Sequence, residues 1–324
     1  MNDTTSRKYF NIWQQNVAKS STSQHNLLAK ADPNDWDIIT LQEPYLDHLQ
    51  LTWANPHWMV LYPSNKNLQG QPHTRSIILI NKKIDSSQIQ QIDIPSSDIT
   101  AVKITTENHT LILINLYNNI HHNHNIETIA NTWNTHENNW TRGNGQAEIV
   151  LLGDFNRHHS IWEPSKNDHL KSPDQLLNPL LELIVNMRLE MTLPHNTPTL
   201  EACNTGNWTC PNNVWRCVDT PSSFITCDIV PSLHPVNTDH LPIVSSIDLR
   251  FALSSNPICY NYRTINWDNY WEKLQQNLTK VDTELTTPID TPADLECVTN
   301  HLFNAINDTT TEVANAIKIT PHMK

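Results

Sequence analysis

Six short apolar runs mark the first three-quarters of the chain: Phe10–Trp13, Asp37–Leu41, Ser76–Ile80, Leu111–Leu116, Glu148–Leu152 and Leu241–Ile247. Each is too short for a helix and is bounded by polar residues, which predicts strands covered on both faces. Helical spacing lies between them. Asn125 is placed to cap a helix with the stripe Ile126, Ile129, Ala130 and Trp133. Ser172-Pro173 reads as a cap and first helical residue, followed by Leu176, Leu177, Leu180, Leu181 and Ile184.

Buried strands alternating with one-sided helices predict a layered α/β architecture. Residues 193–223 are rich in Pro, Asn and Thr and read as a long irregular loop bearing small strands. The pattern changes after about residue 250. Trp267, Tyr270, Trp271, Leu274, Leu278 and Val281 form one helical stripe. Thr291-Pro292-Ala293-Asp294 then looks like a capped start for a helix carrying Leu295, Val298, Leu302 and Ile306. The expected division is 1–250 as one domain and 251–324 as a helical tail.

Composition narrows the picture. The chain has 324 residues, 38% of them hydrophobic, enough for a sizeable core. No run is long and apolar enough to span a membrane. The polar start, Met1 to Arg7, lacks the apolar stretch of a secretory signal, so a nuclear or cytoplasmic location is expected rather than secretion. None of the six cysteines falls in a C-x-x-C pair, and free thiols are expected. The net charge of -12 opposes tight, non-specific nucleic-acid binding by the bulk surface. A bound divalent cation would reverse that field locally.

Polar groups gather where the apolar runs stop. Asn16 ends the first run, and Gln42-Glu43-Pro44 follows the second. Tyr117 closes Leu111–Leu116. Gly153-Asp154-Phe155-Asn156 follows Glu148–Leu152, and Thr238-Asp239-His240 precedes the last run. Ligands of α/β folds collect at strand ends, so this placement is informative as a set. Taken singly, Asn16 reads as a turn residue, Tyr117 as a core residue and Asp239-His240 as an exposed turn.

In order and relative spacing these segments, with Asp228, resemble the endonuclease/exonuclease/phosphatase superfamily over roughly residues 8 to 250. Gly153 through Trp162, Asn207-Trp208-Thr209, Ile225-Thr226-Cys227-Asp228, the Thr238–Pro242 box and Tyr262–Trp267 are similar to the endonuclease domain of non-LTR retrotransposons, fungal elements among them. The resemblance implies a four-layered α/β sandwich of two mixed sheets flanked by helices, with a C-terminal helical extension. It implies a Mg2+-dependent phosphodiester hydrolase nicking target DNA, with Mn2+ as a substitute cation and a reverse transcriptase following in the full element. It further implies metal ligation by Glu43, Asp239 and Asn16, and activation of water by Asp154. Asn156 and Tyr117 would contact the phosphate, and Asp228 would orient His240. His240 itself would bond a phosphate oxygen or act as the base.

Arg157, Arg75, Lys82 and Lys83 are the cations expected to contact phosphate backbones, Arg157 and Arg75 foremost. Two other readings fit the same residues: an esterase acting on lipid or inositol phosphates, and an inactive retroelement-derived binding domain.

Overall fold

The computed structural model describes residues 9–53, 55–66, 73–106, 109–141, 147–218, 224–248, 259–260, 262–284, 291–314 and 316–317. It divides into two compact units, Met1–Ser254 and Ser255–Lys324. The division expected near residue 250 lies outside the described residues.

The first unit opens with β1 (Phe10–Asn16), α1 (Ser21–Lys30), β2 (Ile38–Gln42), β3 (Trp58–Leu61) and β4 (Ser76–Asn81). Next come β5 (Ile89–Ile92), β6 (Ile99–Thr105), β7 (Thr110–Tyr117), α2 (His124–Thr141), β8 (Ala147–Asp154) and α3 (Asp174–Asn186). It closes with β9 (Leu189–Met191), β10 (Leu200–Glu201), β11 (Trp208–Thr209), β12 (Asn212–Cys217), β13 (Phe224–Ile229) and β14 (Ile243–Ile247). One six-stranded sheet runs β13-β14-β1-β2-β4-β3 and the other β5-β6-β7-β8-β12-β9. Each mixed sheet holds one parallel pair, β1 with β2 and β7 with β8. The crossovers are α1 and α2, as a parallel connection requires.

Three apolar clusters separate four layers. Trp13, Leu27, Ile39, Leu41 and Leu79 bind α1 to the outer face of the first sheet. Phe10, Ile12, Ile38, Ile78, Val102, Leu113, Val150 and Leu152 fill the space between the sheets. Ile112, Ile114, Ile126, Ile149, Leu151 and Leu180 bind α2 and α3 to the second sheet. The four-layered sandwich of two mixed sheets is therefore the fold.

The inward positions of the central strands change character along their length. They read Phe10, Ile12, Gln14, Asn16 on β1 and Ile38, Thr40, Gln42 on β2. On β7 they read Leu111, Leu113, Asn115, Tyr117, and on β8 Val150, Leu152, Asp154. Apolar burial supplies most of the attraction at one end. At the other end the polar groups bond across the sheets, because burying them unpaired would cost more than the contact returns. Gln42 Nε2 donates to Asn115 Oδ1 at 2.5 Å, and Asn115 Nδ2 donates to the carbonyls of Leu41 and Ile77. Gln14 Nε2 donates to the Gly153 carbonyl at 3.1 Å.

Several local expectations shift. The Ser172 hydroxyl accepts from the His158 N–H, and Pro173 precedes α3 instead. Asn125 lies inside α2, buried, with its amide on Asp98 Oδ2 and the Tyr117 carbonyl. The stretch read as an irregular loop bearing small strands contains β12, whose residues Asn212 to Arg216 pair with β8 in the second sheet.

In the second unit, α4 (Trp267–Glu284) and α5 (Pro292–Val313) pack through Tyr270, Leu274, Leu278 and Val313. The Thr291–Asp294 capping box is present. Trp267, Trp271, Leu302 and Ile306 of the expected stripes are exposed, because two helices cover only one narrow face of each other. The side chain of Val281 lies outside the described residues. Among the described residues no helix is long and apolar enough to cross a membrane.

Candidate active site

The two parallel pairs end at the same edge of the sandwich. Register aligns Asn16 with Gln42 in one sheet and Tyr117 with Asp154 in the other. Gly153 makes the second alignment possible. Its φ is +143°, and a Cβ there would lie 1.9 Å from the Leu116 carbonyl oxygen. Only glycine tolerates that approach.

Asp154 is buried, 2% exposed. Its Oδ2 accepts from Asn16 Nδ2 at 2.9 Å, across the gap between the sheets, and its Oδ1 accepts from the Asn156 N–H at 3.1 Å. Burial disfavours the ionised form and pushes the carboxyl up to about 7, despite those two donors. The group can therefore gain and lose a proton near neutral pH. Asn156 sits at a φ of +50° and donates through Nδ2 to the Asn118 carbonyl. Asn118 returns a bond to the Phe155 carbonyl. Sequence reading missed Asn118, which looked like one more residue of an Asn-rich turn.

Tyr117 packs under Arg75, whose guanidinium carbon lies 4.5 Å from the ring centroid. Burial, then the nearby carboxylates of Glu43 and Asp154, hold its hydroxyl up at about 12, so it stays protonated and can donate. Arg75 is a bidentate partner of Asp98, at 2.8 and 2.6 Å. That pairing occupies two of its donors, and 24% of its side chain stays exposed.

Arg157 requires a firmer correction. It is 1% exposed, with its donors on the carbonyls of Asn119, His122, Asn156 and Leu176 and on Asn123 Oδ1. A guanidinium satisfied inside the fold cannot reach DNA. It staples the loops after β7 and β8 to α3. Trp162 lies beneath, donating to the Arg157 carbonyl, while His158 pairs with buried Glu163 at 2.6 Å.

His240 is buried, with Nδ1 against Asn212 Oδ1 at 2.7 Å and Nε2 3.7 Å from Asp239 Oδ1. Asp228, expected to orient it, is exposed on β13 and accepts from the Ile229 N–H. The correction follows from register: Asn212 pairs with Asp154 and so starts β12 at the site edge. An amide oxygen fixes the proton on Nδ1 but adds no negative charge, and burial depresses the imidazole to about 4. His240 is thus neutral at pH 7. Asn212 was missed because it lay in a stretch read as loop.

Glu43 follows β2 directly, at a φ of +47°, and contacts Lys19 Nζ at 3.1 Å. Asp239 faces His240 on one side and Cys203 on the other. Asn16, expected beside a metal, has its oxygen on the Ala18 N–H and its amide on Asp154. That corrects it to a positioner of Asp154. Among the described residues no three His, Cys, Asp or Glu side chains form a metal-binding group. A hard divalent cation that keeps most of its waters needs only one or two carboxylates. Glu43 fits that demand, since the Lys19 ammonium already stands against its carboxylate as a cation.

A family model described as "Endonuclease/Exonuclease/phosphatase family" matches residues 9–221. The chain belongs to the endonuclease/exonuclease/phosphatase family. Solved structures with the same fold include the endonuclease domain of TRAS1, a telomere-specific non-LTR retrotransposon. It is 18% identical, with a TM-score of 0.56, covering 74% of this chain and 99% of that one. An AP endonuclease from Leishmania major is 10% identical at 0.56, covering 74% and 88%. A 3' phosphatase from Neisseria bound to a product DNA hairpin is 15% identical at 0.51, covering 74% and 100%. No curated protein matches the chain. As a member of this family the chain is a hydrolase by descent, and enzymes of the family usually use divalent metals.

Proposed function

We propose that the chain is a Mg2+-dependent phosphodiester hydrolase that nicks DNA, of the kind non-LTR retroelements carry beside a reverse transcriptase. The observation that carries the reading is the bond from Asn16 to Asp154. It sets a buried carboxyl, poised near pH 7, between two sheets whose other strand ends bring Glu43, Tyr117, Asn156 and His240.

Glu43, with Asp239, would hold the cation, which when bound neutralises charge on the phosphate. Asp154 takes the proton from the attacking water, with Asn16 holding one carboxylate oxygen and the Asn156 N–H the other. The Tyr117 hydroxyl donates to a phosphate oxygen, and so does the Asn156 amide when it leaves Asn118. His240 presents unprotonated Nε2 beside Asp239. A proton taken up from solvent as the anionic phosphate arrives lets Nε2–H donate a hydrogen bond to a phosphate oxygen.

Supercoiled plasmid incubated with Mg2+ should convert to the open circle, and EDTA should stop it. A folded protein that leaves the plasmid intact with every divalent cation tried would overturn the reading.

One observation favours a second reading, a phosphatase or sphingomyelinase-like esterase for a small substrate. The net charge is -12, and the two arginines nearest the site are committed to internal partners. Release of phosphate from inositol phosphates without plasmid nicking would select it.

A further inference from the structure

Lys19 has no place in the mechanism above, yet the backbone is bent to put it there. Ala18 and Lys19 both have positive φ, +50° and +56°, and so does Glu43. Residues with a Cβ disfavour that region, so three in one contact need compensation. The compensation is a set of bonds to main-chain N–H groups: Val17 N–H to the Gln42 carbonyl, Ala18 N–H to the Asn16 side-chain Oδ1, and Lys19 N–H to the Glu43 carbonyl at 2.8 Å. Lys19 is thereby tied to Glu43 twice, through its backbone and through its ammonium. Its side chain is 64% exposed, so the ammonium can turn. Beside it opens a cavity of about 510 Å³ lined also by Pro44, Tyr45, Gln50, His73 and Arg75. Arg75 is held by Asp98 and His73 by Gln50, so among the described lysines and arginines of this rim Lys19 is the one that is mostly exposed.

We propose that Lys19 is a tethered counter-ion with two partners. It neutralises Glu43 until a divalent cation arrives, and then turns to a phosphate of the nucleic-acid strand in the adjoining cavity. The proposal rests on the reading of Glu43 as a metal ligand. It makes Lys19 a competitor of the metal and a helper of the substrate. A merely structural residue would not move those two affinities in opposite directions.

The test compares wild type, Lys19→Met, Lys19→Arg and Glu43→Gln. Mn2+ binding is followed by electron paramagnetic resonance, and binding of a short DNA duplex in Ca2+ by fluorescence anisotropy. Lys19→Met should bind Mn2+ roughly two- to five-fold more tightly, the span that exposed ion pairs are worth. It should bind the duplex more weakly by a similar factor, and Lys19→Arg should restore both affinities. Unchanged Mn2+ affinity in Lys19→Met, or duplex affinity that does not fall, overturns the proposal. Glu43→Gln reports separately. If it leaves Mn2+ binding intact, the metal reading itself fails. If it weakens Mn2+ binding while Lys19→Met matches wild type, only the role of Lys19 fails.

Discussion

The two parallel strand pairs reach the site by the same route and arrive with opposite electrostatics. The β1–β2 pair delivers Glu43, partly open to water and faced by an exposed ammonium. The β7–β8 pair delivers Asp154, sealed from water and facing an amide. A carboxylate with an exposed ammonium against it suits a cation. A buried one resists ionisation and suits proton transfer. The same strand geometry thus sets two carboxylates in different surroundings, through solvent access and through the partner each one meets. The nearby cations follow the same division, with Lys19 free to move and Arg157 locked in place.

The comparison breaks most severely at Asp154. Asp154→Asn removes the proton acceptor and leaves one acceptor oxygen where the carboxylate offers two, so nicking should fall by roughly 10²- to 10⁴-fold, the range for a lost general base. The same variant has a stability signature. The folded carboxyl titrates near 7, above its ordinary 3.8. Folding therefore opposes its ionisation, and stability falls as pH rises from about 4 to 7. In EDTA at pH 8 the Asn variant should melt several degrees above wild type, and the gap should close below pH 4. A gap that persists at pH 4 would mean that burial of charge is not its cause.

Arg157→Met should cost about 3–5 kcal/mol in a denaturation curve, because it strands a set of buried acceptors. Duplex affinity of the folded fraction should be unchanged. Lost affinity at full stability would return Arg157 to the DNA surface. Glu43→Gln should raise the Mg2+ needed for half-maximal nicking by more than the ~10-fold expected for an outer partner of a metal site. An unaltered Mg2+ requirement would erase the contrast between the two carboxylates. The smallest change is Asn212→Asp. A carboxylate beside Nδ1 should raise the His240 titration midpoint by about 1 unit or more in NMR, up from about 4. No rise would mean that burial alone sets it.

The strands and the site edge were legible in the sequence because each central strand is apolar until its last inward positions. Leu151-Leu152-Gly153-Asp154 states both the strand and its end. Partner choice was less legible. Asp228 looked like the companion of His240 because the resemblance implies a His–carboxylate pair there. Strand register decided otherwise, and register depends on β12, whose Pro and Asn neighbours disguised it as loop. Arg157 misled in the opposite sense. Set among Asn156 and two histidines it reads as surface, and only the carbonyls converging from the loop after β7 and from α3 make its burial tolerable. Lys19 gave no signal, since nothing in a local pattern foretells a pair of left-handed residues stabilised by main-chain bonds.

The close approach at Gly153 bears on how decay in sequences of this kind can be recognised. Gly153→Ala would leave every polar group of the site in the sequence. It would still force β7 and β8 apart, because the new methyl group would overlap the Leu116 carbonyl. A copy carrying that one change would pass any inventory of acidic and imidazole residues and yet hold no working edge. The residue with no side chain therefore decides whether the polar groups of this edge can meet at all.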